Sequence, residues 1–209
     1  VLSCPGSFLA RWFIPRLGAL KDALPELELH LTASDDNEGL RNGVDGVLRF
    51  QTPPFDDAEH QETRVLGTER IGPVLRPDSE WLSEASSPPS PEVLLGLPLL
   101  HTRSRPQAWP DWCSRQGLSS EGLDYAQGFE HLNYLLEATL VGLGVGIAPD
   151  YLVEEDLRSK RLVAPWGFVE TEACLTLTLP QVGRARARHP HAEALGEWLA
   201  RELATAPPH

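Results

Sequence analysis

Apolar residues fall into two rhythms that take turns along the whole chain, and this alternation restricts the fold more than any motif does. In "FLARWFIPRLGALKDALPEL" the residues Phe8, Leu9, Trp12, Phe13, Leu17, Leu20 and Leu24 recur at helical spacing. In "LELHLTAS" Leu27, Leu29, Leu31 and Ala33 alternate, which predicts a strand. The pattern then repeats. "GLRNG" predicts a short helix ending on Gly43, and "VDGVLRF" and "TRVLGTERIGPVLRP" predict strands. "PEVLLGLPLLH" predicts a short helix and a strand into His101, and "AWPDWCSRQG" a helix ended by Gly117. "FEHLNYLLEATLVG" predicts a helix over 129–141, with Phe129, Leu132, Leu135, Leu136 and Leu140 on one face. "VGIAPD" predicts a strand, "YLVEEDLRSKRL" a helix, "ACLTLTLP" a strand, and "HPHAEALGEWLARELA" a closing amphipathic helix. Strands that alternate with helices imply an α/β fold with largely parallel strands. The 209 residues suffice for two lobes of about 100 residues each.

Local signals sharpen the boundaries. Ser7 is an N-cap candidate for the first helix. Pro25 pushes Leu24 out of the helical region and ends it, and Pro15 inside the pattern implies a kink or a late first turn. The run "SEASSPPSPE" at 83–92 predicts a surface loop.

Composition excludes several classes of function. Apolar residues make up 41% of the chain, so a core is available, and no apolar run approaches the ~20 residues of a membrane span. The N-terminus has no secretory-signal pattern: Arg11 and Arg16 lie inside the amphipathic segment. A net charge of −12 opposes DNA, which binds clustered positive charge. Cys4, Cys113 and Cys174 are odd in number and lack a CxxC spacing, which points to free thiols in a reducing compartment. The chain starts at Val1 without any methionine, the pattern expected of a piece of a longer product.

The glycine run in "TLVGLGVGIAPD" invites a nucleotide-binding reading. A phosphate cradle needs a strand, then glycines, then a helix N-terminus. Here the helix comes first and a strand follows, and Pro149 opposes a new helix at the required point. Gly142 instead falls where a left-handed C-cap residue belongs. His189 and His191 lack a third ligand at a familiar spacing, and "DDNEG" at 35–39 lacks the distal Glu of a calcium loop, so neither a metal nor any other cofactor is expected. No GxSxG occurs and no acid–base pair is evident, so the chain does not read as an enzyme. What remains is a set of polar residues at helix starts: Ser7, Glu130 and His131, with Arg103 and Arg105 ahead of the Trp109 helix. Helix starts carry free N–H groups and partial positive charge, suited to a small anion.

Five stretches, "SFLARWFIPRLGALKDALPELELHLTASD", "GVDGVLRF", "LLHTRSRPQAWPDWCSRQGL", "LLEATLVGLGVGIAPDYLVEEDLRSKRLVAPW" and "HAEALGEWLARELA", follow one another in an order that resembles the effector-binding domain of LysR-type transcriptional regulators. The nearer branch holds the glycine-cleavage activator and the β-lactamase regulator. The resemblance implies two Rossmann-like lobes joined by two crossing strands, the architecture of type 2 periplasmic binding proteins. Lobe I would take residues 1–70 and 175–209, and lobe II residues 71–174, with the crossings near "ERIGPV" and "EACLTL". It also implies a missing N-terminal winged helix-turn-helix that alone contacts DNA, a cytoplasmic location, dimerisation through the first helix and a tetramer at full length.

The same resemblance implies a small polar or anionic effector held between the lobes, whose binding alters oligomer geometry. Its expected contacts are Ser7, Phe8, Ser34 and Phe50 from lobe I, and His101, Arg103, Phe129, Glu130 and His131 from lobe II. The chain departs from the branch at His131 and Leu132, which stand where two serines are usual, at Ala173, near a usual Tyr, and at "FQTPPFD", which replaces a glycine-rich turn. A secreted solute-binding protein of the same fold is the alternative reading.

Overall fold

A computed structural model describes residues 1–34, 40, 43–55, 61–82, 89–180 and 191–204. In chain order the elements are β1 (Leu2–Cys4), α1 (Gly6–Phe8), α2 (Leu17–Ala23), β2 (Leu31–Ala33), β3 (Gly46–Gln51), β4 (Gln61–Val74) and β5 (Leu99–Thr102). They continue with α3 (Ala108–Arg115), β6 (Tyr125–Phe129), α4 (Leu132–Leu140), β7 (Gly146–Pro149), α5 (Asp150–Arg158), β8 (Val169–Pro180) and α6 (Ala192–Ala204). The chain divides into two compact units. Unit 1 holds Val1–Glu69 and Glu172–Pro207, and the body of unit 2 is Arg70–Thr171. β4 and β8 each contain one of the two boundaries. The predicted "GLRNG" helix, the "DDNEG" turn and most of the 83–92 loop fall outside the described residues, as does His189.

In unit 1, β1 runs parallel to β2 with Leu2 opposite Leu31, and parallel to β3 with Leu2 opposite Gly46. β8 pairs antiparallel with β3, setting Leu48 against Leu177 and Phe50 against Leu175 on one face. Both helical arms cover that face. Phe8 meets Phe50 edge-on at 6.2 Å, and a Cβ on Gly196 of α6 would lie 3.2 Å from Leu177. Trp12 and Phe13 each meet Trp198 at 6.2 and 6.3 Å. Such aromatic pairs contribute about 0.5–1.5 kcal/mol each beyond their burial. The core of unit 2 is built from Ile71, Leu75, Leu94, Leu99, Trp109, Trp112, Val145 and Ile147.

Pro15 acts as its chemistry requires. It has no N–H, and its ring opposes the carbonyl four residues back. The helical segment therefore passes from α1 into a π segment at Leu9–Phe13 and a 3-10 turn at Ile14–Arg16 before α2 resumes. It ends at Ala23, with Leu24 leaving the helical region before Pro25.

Three expectations are corrected. Pro5, with φ −59° and ψ 137°, is the cap residue of the first helix, and Ser7 lies inside the first turn. The alternation at Leu27 and Leu29 does not become strand, because β1 is three residues long and pairs only with Leu31–Ala33. The helix expected from Phe129 begins at Leu132. Phe129 closes β6 opposite Thr102, and His131 is extended at φ −127° and ψ 152°. Phe129 mimics helical periodicity because it lies one turn ahead of the apolar face, yet its backbone belongs to a strand.

The glycine run ends α4. Gly142 has φ +83° and donates to the Thr139 carbonyl at 3.0 Å, while Leu143 donates to Ala138 at 3.0 Å. This pairing is the Schellman arrangement that satisfies a helix's last carbonyls. Gly144 and Gly146 are close-packing positions: an added Cβ would run into the Pro98 carbonyl at the first and the Thr139 hydroxyl at the second. Gly146→Ala is expected to destabilise the protein by about 1–3 kcal/mol through overpacking. Gly142→Ala is expected to cost about 1–2 kcal/mol through its left-handed backbone. Urea denaturation midpoints check both.

Candidate functional site

Unit 1 presents the carboxyl ends of three parallel strands. The chain leaves β1 at Cys4, whose carbonyl accepts from the Ser34 amide at 2.9 Å, so the exits of β1 and β2 are tied together. Open α/β sheets place ligands outside such strand ends. Ser7 follows β1 by three residues and is buried at 8% exposure. Phe8 is a core residue at 1% exposure, with its ring stacked on Trp12 at 4.7 Å. Arg16 lies over the Trp12 ring at 4.7 Å and donates to the Trp12 carbonyl at 3.2 Å. Phe8 and Phe50 thus back the strand ends with a rigid aromatic wall.

Unit 2 repeats this arrangement. β5 and β6 run parallel, with His101 opposite Gly128 and Thr102 opposite Phe129. Beyond their ends the Arg103 amide donates to the Phe129 carbonyl at 2.9 Å and the Ser104 amide to the Glu130 carbonyl at 3.3 Å. The exit loops are therefore knitted by their main chains. The Arg103 guanidinium lies 3.3 Å from the Glu130 carboxylate, with both side chains largely exposed. An exposed pair of this kind contributes at most about 1 kcal/mol, so either partner is readily released.

The start of α4 is not capped by a side chain. His131 occupies the cap position and makes no capping bond, and its ring leans on Tyr134 at 5.9 Å. The Tyr134 and Leu135 amides both turn back to the His131 carbonyl, at 3.1 and 3.3 Å. The amides of Leu132 and Asn133 precede the first intrahelical acceptor, so the helix leaves them pointing outward. The expectation that Glu130 and His131 sit in the first helical turn is corrected here, since both precede it.

Sequence reasoning missed two neighbours. Asn133 lies in the first turn of α4, and its Oδ1 is buried without a donor among the described residues. Thr102, 2% exposed, accepts from the Ser104 hydroxyl at 3.4 Å. Sequence did offer one unused signal, Gly128. A Cβ there would lie 2.6 Å from His101 Nε2, so the imidazole rests directly over the glycine. His101 also contacts Tyr125 at 4.7 Å.

Elsewhere, a depression of about 310 Å³ lies at the far end of α4, lined by Arg76, Asp78, Trp81, Gly142 and Gly144. Its cation is already engaged: Arg76 Nε donates to Asp78 at 2.7 Å and a second nitrogen holds the other oxygen. That pair pulls the Asp78 carboxyl below its usual range. The glycine run therefore offers no free charge to a phosphate. Among the described residues no three His, Cys, Asp or Glu side chains converge as metal ligands, and Cys4, Cys113 and Cys174 are free thiols. No helix among them is long and apolar enough to cross a membrane.

Gly128→Ala is expected to displace the His101 ring and to destabilise the protein by about 1–3 kcal/mol. The His101 imidazole proton shifts, which carry the ring current of Tyr125, check the displacement.

Residues 1–204 match the family described as the LysR substrate binding domain. The chain is 50% identical over 205 residues to the HTH-type transcriptional regulator TrpI of Pseudomonas aeruginosa, covering 98% of this chain and 67% of that protein. It is 27% identical over 165 residues to the glycine cleavage system transcriptional activator of Escherichia coli, covering 78% of this chain and 52% of that one. The chain thus spans between half and two thirds of the length of these relatives. Among solved structures, the effector domain of the transcriptional regulator AmpR of Pseudomonas aeruginosa matches with a TM-score of 0.77 and 25% identity, covering 97% of this chain and 94% of that one. These relatives are transcriptional regulators, so the alternative of a secreted solute-binding protein is set aside.

Proposed function

Because the chain belongs to the LysR substrate-binding family, as the effector-binding domain of a LysR-type regulator, we propose that it senses a small anionic molecule at the carboxyl ends of its parallel strands. The observation that carries this reading is the start of α4. There two outward amides, an uncapping His131 and the weakly held Arg103 gather positive character at the strand exits. His101, Phe129 and Glu130 frame that position in unit 2. Ser7 and Ser34 offer hydroxyls in unit 1, with Phe8 and Phe50 behind them.

A ligand shifts a conformational equilibrium only by its difference in affinity between states. Effector binding would accordingly change how the whole regulator, acting in the cytoplasm, presents its DNA-binding part. DNA contact would belong to a segment other than these 209 residues, whose net charge is −12. Self-association through the first helical segment is part of the same proposal. Ile14 is 51% exposed there, beside the buried Trp12 and Phe13, and so offers an apolar contact to a second copy.

The test is a thermal-shift screen of carboxylate and phosphate metabolites against this chain. A true effector at a hundred times its Kd raises Tm by about 5–10 °C. Arg103→Ala and His131→Ala are expected to weaken it about tenfold or more, the loss of a charged hydrogen bond. If no anionic compound raises Tm, the reading fails. In the same preparation, gel-shift assays are expected to show no binding of duplex DNA at physiological salt.

A further inference from the structure

The strongest unexplained charge in unit 1 is Arg49. β3 alternates, so Val47, Arg49 and Gln51 share the face opposite to Leu48 and Phe50. Across β8 their neighbours are Thr178, Thr176 and Cys174. The hydroxyls of this face are already committed. Thr176, fully buried, accepts from Gln51 Nε2 at 2.9 Å and donates to the Arg49 carbonyl at 3.3 Å. Thr178 is bonded to Thr63 at 3.1 Å. The Arg49 carbonyl is thus satisfied while one nitrogen of its side chain is not. Nη2 is buried with no acceptor among the described residues, and no carboxylate among them forms an ion pair with it.

A guanidinium has five donors, no acceptor and a permanent charge. Arg49 as a whole is half-buried, and the unfavourable part is Nη2, which is shut away from water with no acceptor among the described residues. Burial accordingly pulls the Arg49 pKa down from its ordinary value. The position of this strain is informative. β1 and β3 pair at Leu2–Gly46 and Ser3–Val47. Continuing that register puts Arg49 level with Pro5, where β1 has ended and α1 is about to begin. Arg49 therefore lies at the carboxyl edge of the parallel strands, the edge from which Ser7 and Ser34 emerge. Ligands of open α/β sheets bind outside that edge.

We propose that Arg49 is the anion anchor of unit 1, its guanidinium held without an internal partner so that it receives the carboxylate or phosphate group of the effector. This assignment rests on the effector-sensing reading above. It adds the charged donor that reading lacks in unit 1, where Ser7 and Ser34 offer only hydroxyls. The planar fork of Arg matches both anions through two parallel bonds, which Lys does not reproduce.

The experiment uses the 209-residue chain and the variants Arg49→Met, Arg49→Lys and Arg103→Ala. Inorganic phosphate and acetate are titrated separately at constant ionic strength against sodium chloride, with Tm and calorimetric affinity as readouts. In chloride alone, Arg49→Met is expected to melt at or up to about 2 °C above the wild type, because a buried donor without an acceptor has been removed. In the wild type one of the two anions raises Tm, and the larger response separates carboxylate from phosphate recognition. Arg49→Met is expected to weaken that anion about tenfold to a hundredfold, and Arg49→Lys to give an intermediate response. An anion response retained in Arg49→Met but lost in Arg103→Ala removes Arg49 from the site and leaves the effector reading standing. A lower Tm for Arg49→Met with an unchanged response makes the guanidinium a structural part of the sheet and overturns the proposal. No response to either anion in the wild type overturns the anchor and the anionic reading together.

Discussion

Two continuous strands carry the architecture. β4 leaves unit 1 at Glu69 and pairs with β7 through Ile71–Val74, and β8 returns at Glu172 and pairs with β3 through Cys174–Thr178. Because unit 1 holds chain on both sides of Arg70–Thr171, unit 2 is an insertion into unit 1 and not a separate bead on the chain. The antiparallel sense of β8 follows from this topology, since the second crossing must run back towards the first unit. The parallel strands, β1 to β3 in unit 1 and β5 and β6 in unit 2, share one consequence. Their carboxyl ends release loops and helix starts.

At those ends the structure leaves polar groups unmatched. α4 begins with no side-chain cap, although Ser, Thr, Asp or Asn at that position typically contributes about 1 kcal/mol. Asn133 Oδ1 and Arg49 Nη2 are buried with no partner among the described residues. Most buried polar groups in native proteins are paired, so each exception calls for its own explanation. By contrast the far end of α4 is fully satisfied: the Gly142 turn binds its carbonyls and Arg76 is held by Asp78. The two ends of one helix thus differ in kind: one has no side-chain cap and the other is closed by its glycine turn.

Much of the fold was legible. Proline and glycine chemistry is local, so the kink at Pro15, the stop at Leu24–Pro25 and the left-handed turns at Gly117 and Gly142 followed from single residues and their neighbours. Pairing was less legible. β6 went unseen because "YAQGF" is mostly exposed and has no apolar alternation, and it is a strand only because β5 lies beside it. β2 stops short of Leu27 and Leu29 for the converse reason: the pattern extends further than the partner strand. Of the residues expected at the site, His101, Arg103, Glu130 and His131 do lie at the ends of β5 and β6, but their local roles differ from those expected. The cap role passed from Ser7 to Pro5, and Glu130 and His131 moved from a helix to the loop before it.

What the sequence by itself determined is the order of elements, the punctuation between them and, through an ordered resemblance, the family. These depend on periodicity and backbone preference, which act over a few residues. Only the tertiary structure decided which charges are matched. Arg49 sits in "VLRF" as an ordinary polar residue on an alternating strand, and Gly128 as an ordinary small one. Among the described residues the side chains across β8 leave Arg49 Nη2 without an acceptor, and the imidazole from β5 occupies the place of a Cβ at Gly128. Burial and pairing are properties of neighbours distant in sequence, so no window along the chain contains them.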